Sequence, residues 1–269
     1  MAVEKRKRVL VTGGATPLGM NIAAALLAEG AEVTLLVRPG TENRLGPLAA
    51  RVRWYPADVW DPASLRGRAR GHGVVVNTVG SLTADPSQGL TYHRLNVISA
   101  RNIANMCISD GVSHMVLLSA VSAPWINRHY VGAKREAESY VRRVGLSVSI
   151  IRAPLTYIRS DSRPIFYRLM SVLGVVPPIS WLGFNRIAPL SLDILARGVA
   201  RISLDAPPSQ RSAIYYAPDL RRRNKRDEMR NPLLVMQENS GGPVARVELP
   251  EDEVPFGWMP TQRKPGERR

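Results

Sequence analysis

A chain of 269 residues, 45% hydrophobic and 22% charged, has the composition of one large globular domain, or one domain with a small lobe. Its 37 Lys and Arg against 22 Asp and Glu leave a net charge of +15, which favours anionic partners: nucleotides, phospholipid headgroups or an acidic protein face. Cys107 is the one cysteine and excludes internal disulfides, the four histidines form no metal-like pattern, and no apolar run reaches the ~18 residues of a membrane span. Aromatics at 6% offer no stacking platform, which argues against nucleic acid. With no secretory signal at the start, the expected compartment is the cytoplasm.

The elements follow in chain order. After the basic tail Glu4-Lys5-Arg6-Lys7-Arg8, the run Val9-Leu10-Val11 predicts a buried parallel strand. The glycine turn Thr12-Gly13-Gly14-Ala15-Thr16-Pro17-Leu18-Gly19 leads to a helix over 20–29, rich in Ala and Leu and closed by Gly30. Further strands are predicted over 32–37, 52–55, 74–77, 114–118 and 147–152, separated by helical stretches at the spacing of βαβ units. The predicted fold class is therefore α/β, a doubly wound parallel sheet of the Rossmann type. Past Pro154 the pattern loosens. Residues 165–173 are apolar at helical spacing, 186–190 read extended, 193–202 helical, 213–216 as a late strand and 220–230 as a charged helix. The chain divides into a nucleotide-binding domain over 1–155, a small C-terminal lobe over 156–230 that partly returns to the sheet, and an extended arm over 231–269.

Strand, glycine turn and helix together form an anion site, because the first N–H groups of the helix are unpaired and point outward. Gly13 fits the tight turn and Gly19 the close helix–strand contact, while Thr16 and Pro17 stand where a middle glycine would let backbone approach a pyrophosphate. The Thr16 hydroxyl is a candidate phosphate donor. At the end of the second strand, an acidic residue would hold the ribose 2′-OH of NAD, whereas an arginine accommodates the 2′-phosphate of NADP. Arg38 stands there and no carboxylate does, which favours NADP(H) over NAD(H). Asp58 either closes a turn or contacts adenine.

Tyr130 and Lys134 are four residues apart, on one face of a predicted helix. A phenol titrates too high for acid–base work at neutral pH, and a neighbouring ammonium lowers its pKa. Lysine can also donate to the nicotinamide ribose. Ser119 or Ser122, from the preceding strand, would orient a substrate carbonyl.

These features resemble the extended and atypical short-chain dehydrogenase/reductases over roughly residues 8–160. The resemblance is carried by Val11-Thr12-Gly13-Gly14, Ala57-Asp58-Val59, Asn77-Thr78-Val79-Gly80, Leu95-Asn96-Val97, Tyr130 with Lys134, and Ile151-Arg152-Ala153-Pro154. It implies catalytic roles for Tyr130, Lys134 and Ser119 or Ser122. It also implies cofactor contacts from Thr12, Gly13, Gly14, Thr16, Pro17, Leu18, Gly19, Arg38, Asp58, Val59, Asn77, Val79, Lys134 and Pro154. Two positions depart from the pattern: Ala120 stands where a Ser or Thr is usual, and the middle turn glycine is absent. Within the family the chain is most similar to the branch of the Rossmann-fold accessory subunit of respiratory complex I and its bacterial relatives. That branch implies NADP(H) held structurally by an accessory or scaffold subunit. The alternatives are a working NADP(H) oxidoreductase or epimerase acting on a small carbonyl or nucleotide-sugar, and a cofactor-sensing regulator. The basic run Arg221-Arg222-Arg223-Asn224-Lys225-Arg226, with the arm over 231–269, is either a solvated face or a contact for anionic lipid or complex subunits, which would make the protein peripheral on the cytoplasmic membrane face. The apolar stretches 165–173 and 181–184 either pack on the core, line a pocket or lie on a membrane.

Overall fold

The computed structural model describes residues 6–157, 184–205 and 211–230. The apolar segments at 165–173 and 181–183, and the arm over 231–269, lie outside the described residues. Side chains of 225–230 lie outside them too, Lys225 and Arg226 of the basic run included.

Seven parallel strands form the sheet: β1 (Arg8–Thr12), β2 (Glu32–Val37), β3 (Arg53–Pro56), β4 (Val74–Asn77), β5 (His114–Ala120), β6 (Val148–Ala153) and a last strand, β9 (Ser212–Tyr215). Their order is β3-β2-β1-β4-β5-β6-β9. The chain winds outward from β1 through β2 to β3, returns to β4, then winds the other way. Connections therefore diverge between β1 and β4, which opens a crevice at the carboxyl ends of those two strands. Two short strands, β7 (Thr156–Tyr157) and β8 (Leu190–Ser191), pair separately beside it. The central strands are apolar because both of their faces are covered. One core packs β1 residues Val9 and Val11 with Leu18, Ile22 and Leu26 of helix α1 (Pro17–Ala28). The other packs Leu10, Val75, Met115 and Leu117 against Ile103 and Cys107 of helix α3 (Ser99–Ser109). Helix α2 (Pro62–Leu65) is a single turn. Cys107 is fully buried, and burial together with Asp110 pushes its thiol up to about 12.

The late elements close the same core. Helix α6 (Leu192–Leu204) lays Leu195, Val199 and Ile202 beside α1, and β9 pairs with β6 in parallel. The expectation of an extended segment over 186–190 is corrected. Helix α5 (Phe184–Ile187) occupies its start, and only Leu190 of that span enters a strand. The physical reason is Pro189, which pushes Ala188 out of the helical region and ends the turn one residue earlier. Helix α7 (Ala217–Arg230) closes the described chain. The first helix also begins three residues before its expected start. Thr16 accepts a hydrogen bond from the Gly19 N–H at 3.1 Å, and Pro17 opens the first turn, where its missing N–H costs nothing.

Among the described residues no helix is long and apolar enough to cross a membrane. Strand β3 is an edge strand and is exposed along its length, with Trp54 and Tyr55 facing solvent and Arg68 stacked on the Tyr55 ring at 5.3 Å.

Candidate functional site

Because all seven strands run the same way, the residues singled out from the sequence gather along one sheet edge. Thr12 ends β1, Arg38 follows β2, Asp58 follows β3, Asn77 ends β4, Ala120 ends β5 and Pro154 follows β6. At the crevice, Thr12 donates its hydroxyl to Asn77 Oδ1 at 2.9 Å. The same oxygen accepts from the Val79 N–H at 3.0 Å, and the Thr78 hydroxyl donates to the Thr12 carbonyl at 2.5 Å. Asn77 Nδ2 is buried and has no partner among the described residues. Val59 and Val79 bury their side chains in the core, and the Val59 carbonyl accepts from Asn102 Nδ2, so neither side chain faces the crevice.

The glycine turn is built for a tight helix start. A Cβ on Gly19 would collide with the Gly13 carbonyl oxygen. Thr16 turns inward: its hydroxyl donates to the Gly13 carbonyl at 2.8 Å while accepting from Gly19. It caps the helix and is therefore not free to donate to a phosphate, contrary to the sequence expectation. The Ala15 and Leu18 amides find no acceptor among the described residues, so the N-terminal end of α1 keeps outward donors for an anion. These free amides and the unpaired Asn77 Nδ2 fit a pyridine dinucleotide laid across the crevice, its diphosphate at α1. Arg38 is half-buried and its carbonyl accepts from the Thr41 amide and hydroxyl, which shapes the turn that follows β2. Asp58 accepts from the Trp60 N–H at 2.9 Å, the turn-closing reading of that residue.

Helix α4 (Arg128–Arg143) carries Tyr130 and Lys134, the candidate pair read from the sequence. Tyr130 and Lys134 are both buried, and Lys134 Nζ lies 5.8 Å from the Tyr130 ring centroid. Burial lowers the Lys134 amine to about 8, with the Glu138 charge opposing the shift. Burial also raises the Tyr130 phenol, with Arg135 opposing it, so the expected lowering by the ammonium is outweighed by desolvation. Tyr130 sits among Ala120, Val121, Ala123 and Ile126, with Leu82, Tyr92, Leu155 and Ile187 packed around them. Lys134 reaches past Gly80 to donate to the Leu118 carbonyl at 3.3 Å. A Cβ on Gly80 would collide with Lys134 Nζ and stand 2.6 Å from Asn96 Oδ1, and its φ of +153° lies at the margin of the glycine region.

The two candidate serines are not equivalent to the missing one. Alternation along β5 turns Ser119 away from the side taken by Ala120. The Ser119 hydroxyl donates to Glu138 Oε1 at 2.6 Å, and Ser122 is exposed in the following loop. Ala120, in the usual position, lies in the Tyr130 cluster without a hydroxyl.

The sequence reading assigned no role to three further residues, although Asn96 stood in the landmark Leu95-Asn96-Val97. Asn96 lies in a π-helical turn (His93–Ile98) and clamps Ser81 by two hydrogen bonds, one to its carbonyl at 3.0 Å and one from its amide at 3.1 Å. Such turns commonly mark functional positions, but nothing in the residue types announces this one. Glu138 binds Ser119, Arg135 and Arg152, and its signal was its place one turn beyond Lys134. Thr156 holds a buried hydroxyl without a partner just past Pro154.

Among the described residues, the three arginines of the basic run are engaged. Arg221 donates to the Asn185, Ala188 and Pro189 carbonyls, and Arg223 pairs with Asp205 while stacking on Tyr215 at 5.3 Å. Arg222, its side chain 82% exposed, pairs with Asp219 at the surface.

Comparison with known proteins agrees with this geometry. The chain is 26% identical over 183 residues to the ceramide reductase of Caulobacter vibrioides, covering 67% of this chain and 56% of that protein. It is 30% identical over 125 residues to the human decarboxylating sterol-4-alpha-carboxylate 3-dehydrogenase, covering 43% of this chain and 30% of that one. The chain thus spans about half or less of these relatives. Among solved structures, a dTDP-glucose 4,6-dehydratase of Streptomyces venezuelae with NAD bound shares a TM-score of 0.57 at 22% identity, covering 77% of this chain and 74% of that one. A UDP-glucose 4-epimerase of Thermus thermophilus in complex with NAD shares 0.55 at 18%, covering 81% and 82%. These likenesses establish the Rossmann fold. A family described as NAD(P)H-binding matches residues 13–166, more than half of the chain, and the protein belongs to that family.

Proposed function

We propose that the protein is an NADP(H)-dependent oxidoreductase of the short-chain type that reduces a carbonyl on an apolar, lipid-like substrate. The observation that carries this reading is the burial of Tyr130 inside an apolar cluster, with Lys134 buried beside it, at the strand edge that also carries the nucleotide turn. When bound, the nicotinamide supplies the hydride to the carbonyl carbon. Tyr130 supplies the proton to the carbonyl oxygen. Its raised pKa keeps the phenol protonated at neutral pH, which suits the reducing direction. The Lys134 ammonium stabilises the phenolate that this transfer leaves behind. Arg38 would hold the 2′-phosphate, and the Ala15 and Leu18 amides the diphosphate.

The apolar wall separates substrate classes. A nucleoside diphosphate needs cations, and the described cations nearest the site are engaged: Arg135 and Arg152 on Glu138, and Arg186 over the Tyr216 ring at 4.8 Å. Ceramide and a sterol carboxylate, the substrates named for two relatives, are amphiphiles that this wall would suit. The direct test follows NADPH oxidation with long-chain keto-lipids and, separately, with nucleotide-sugars. Turnover on the lipids, lost about 100-fold or more in Tyr130→Phe with NADP+ affinity unchanged, is the expected result. Turnover on nucleotide-sugars alone would contradict the substrate class.

A second reading is favoured by the Ser119–Glu138 bond and by Ala120, which leave no strand hydroxyl beside Tyr130. In it the protein holds NADP(H) without turnover, as a scaffold subunit at a membrane-associated complex, with the exposed Arg222 towards anionic headgroups. Its signature is NADPH that survives prolonged incubation with every carbonyl offered, and partner chains that copurify with the protein from its source.

A further inference from the structure

Beside Tyr130 and Lys134 lies a buried ionic cluster centred on Glu138. Glu138 is 2% exposed and lies one helical turn beyond Lys134. Its Oε1 accepts from Ser119 Oγ at 2.6 Å, Arg135 Nη1 at 2.6 Å and Arg152 Nε at 3.1 Å. Its Oε2 accepts from Arg152 Nη2 at 2.7 Å, with Arg142 Nη2 at 3.6 Å. The sheet register explains the convergence. Ser119 of β5 and Arg152 of β6 are directly paired, so both present side chains towards α4 at the same level. Arg135 Nη2 also donates to the Ala120 carbonyl at 2.8 Å, and Arg152 Nη1 to the Tyr216 hydroxyl at 2.8 Å. The cluster thus ties α4 to the ends of β5 and β6 and to the segment following β9.

We propose that Glu138 is a positioning residue: its carboxylate, fixed by Ser119, Arg135 and Arg152, keeps the Lys134 amine charged and so governs the grip of that amine on a dinucleotide. The groups facing Lys134 leave few other candidates for this control. Tyr130 and Glu138 lie one turn to either side of it on α4 and the Leu118 carbonyl of β5 accepts from it, while Ser119, Arg135, Arg142 and Arg152 turn to Glu138. The neutral Gly80, Tyr92 and Asn96 close the remaining side, and Tyr216 backs Arg152. Glu138 is the one carboxylate in this set, and it sits among cations. Burial alone would raise the Glu138 carboxyl, yet the bonds from Arg152 and Ser119 and the Arg135 charge hold it below its usual value, so the negative charge is permanent at neutral pH. Removing it would leave Lys134 desolvated beside uncompensated guanidinium groups, which disfavours the ammonium.

The proposal rests on the dinucleotide reading only for its second readout. The first is carbon-13 lysine NMR of the full chain without cofactor, following the Lys134 Cε signal through a pH titration. The inflection is expected near pH 8 in the parent, and at least about one pH unit lower in Glu138→Gln. Arg152→Gln removes a cation and should move it upward, a pair of opposite shifts that loss of packing alone does not produce. If Glu138→Gln does not fold, the upward shift in Arg152→Gln decides: its presence supports the proposal and an unmoved inflection overturns it. The second readout is calorimetry with NADP+, where Glu138→Gln should weaken binding at least about threefold more at about pH 7.5 than at about pH 6. Equal weakening at both pH values would reduce Glu138 to a packing role and overturn the proposal. Shifted NMR inflections with no NADP+ uptake by the parent would instead remove the dinucleotide reading and leave the control of Lys134 standing.

Discussion

The glycine-turn end and the Tyr130–Lys134 end of this sheet edge are built from different materials. At the first, backbone does the work: amides of 15 and 18, a glycine pressed on a carbonyl, and a threonine that caps a helix. At the second, buried side chains do it, with Lys134 and Glu138 held by β5 and β6 and Tyr130 set in an apolar cluster. A backbone site tolerates changes of residue type so long as the turn survives, whereas a buried charged site is retuned by any neighbour that changes the local dielectric or charge. This chain illustrates both. Thr16 and Pro17 stand where a middle glycine is expected and the turn still forms, but turning Ser119 toward Glu138 takes its hydroxyl away from the side of Ala120 and Tyr130.

Substitutions can break this contrast or sharpen it. The largest effect is expected at the turn. Gly19→Ala drives a Cβ into the Gly13 carbonyl, a backbone collision that no rotamer relieves. It should cost about 3 kcal/mol in urea unfolding and abolish dinucleotide binding. Next comes Arg38→Asp, which should weaken NADPH about tenfold or more while leaving NADH within about twofold in calorimetry. Equal weakening of both would remove Arg38 as the 2′-phosphate residue. Thr16→Gly is a smaller and mixed change. Loss of the cap should cost a few tenths of a kcal/mol, while removal of the Cβ opens the approach to α1 and should tighten NADPH binding by about twofold to fivefold. Unchanged affinity would show that the methyl and hydroxyl do not narrow the site.

The smallest effect lies away from the edge. His72 donates to or accepts from Thr34 at 2.8 Å, and His114 lies between Ser147 and Ser149 at 3.0 Å from each. Burial lowers both below the ordinary value of 6.5. Below that value the unfolded chain binds protons that the folded chain does not, so these histidines support the fold above pH 6.5 and their contribution falls as pH drops through it. The urea midpoint should therefore decline from about pH 7 to about pH 5, less steeply in His72→Gln. A flat profile in the parent would contradict the assignment.

The same division governs what could be read from residues alone. Strand positions, their parallel order and the turn were legible, because apolar runs such as Val74-Val75-Val76 and the Thr12–Gly19 punctuation are local signals. The helical spacing of Tyr130 and Lys134 was legible for the same reason. The roles of Thr16, Ser119 and Glu138 were not. Each depends on a partner that is not its sequence neighbour, or on which face of β5 a hydroxyl occupies. The π turn that holds Asn96 depends on the loop it clamps, which sequence spacing does not encode.

The central claim is that a phosphorylated pyridine dinucleotide seats its diphosphate on the N-terminal end of α1. Calorimetric titration of NADPH into the full chain, with Gly19→Ala as the paired control, tests it most directly. Saturable one-to-one binding with a dissociation constant of about 10 μM or tighter in the parent, and no binding in the variant, is the result expected. No heat from the parent with either NADPH or NADH at about 1 mM would contradict it.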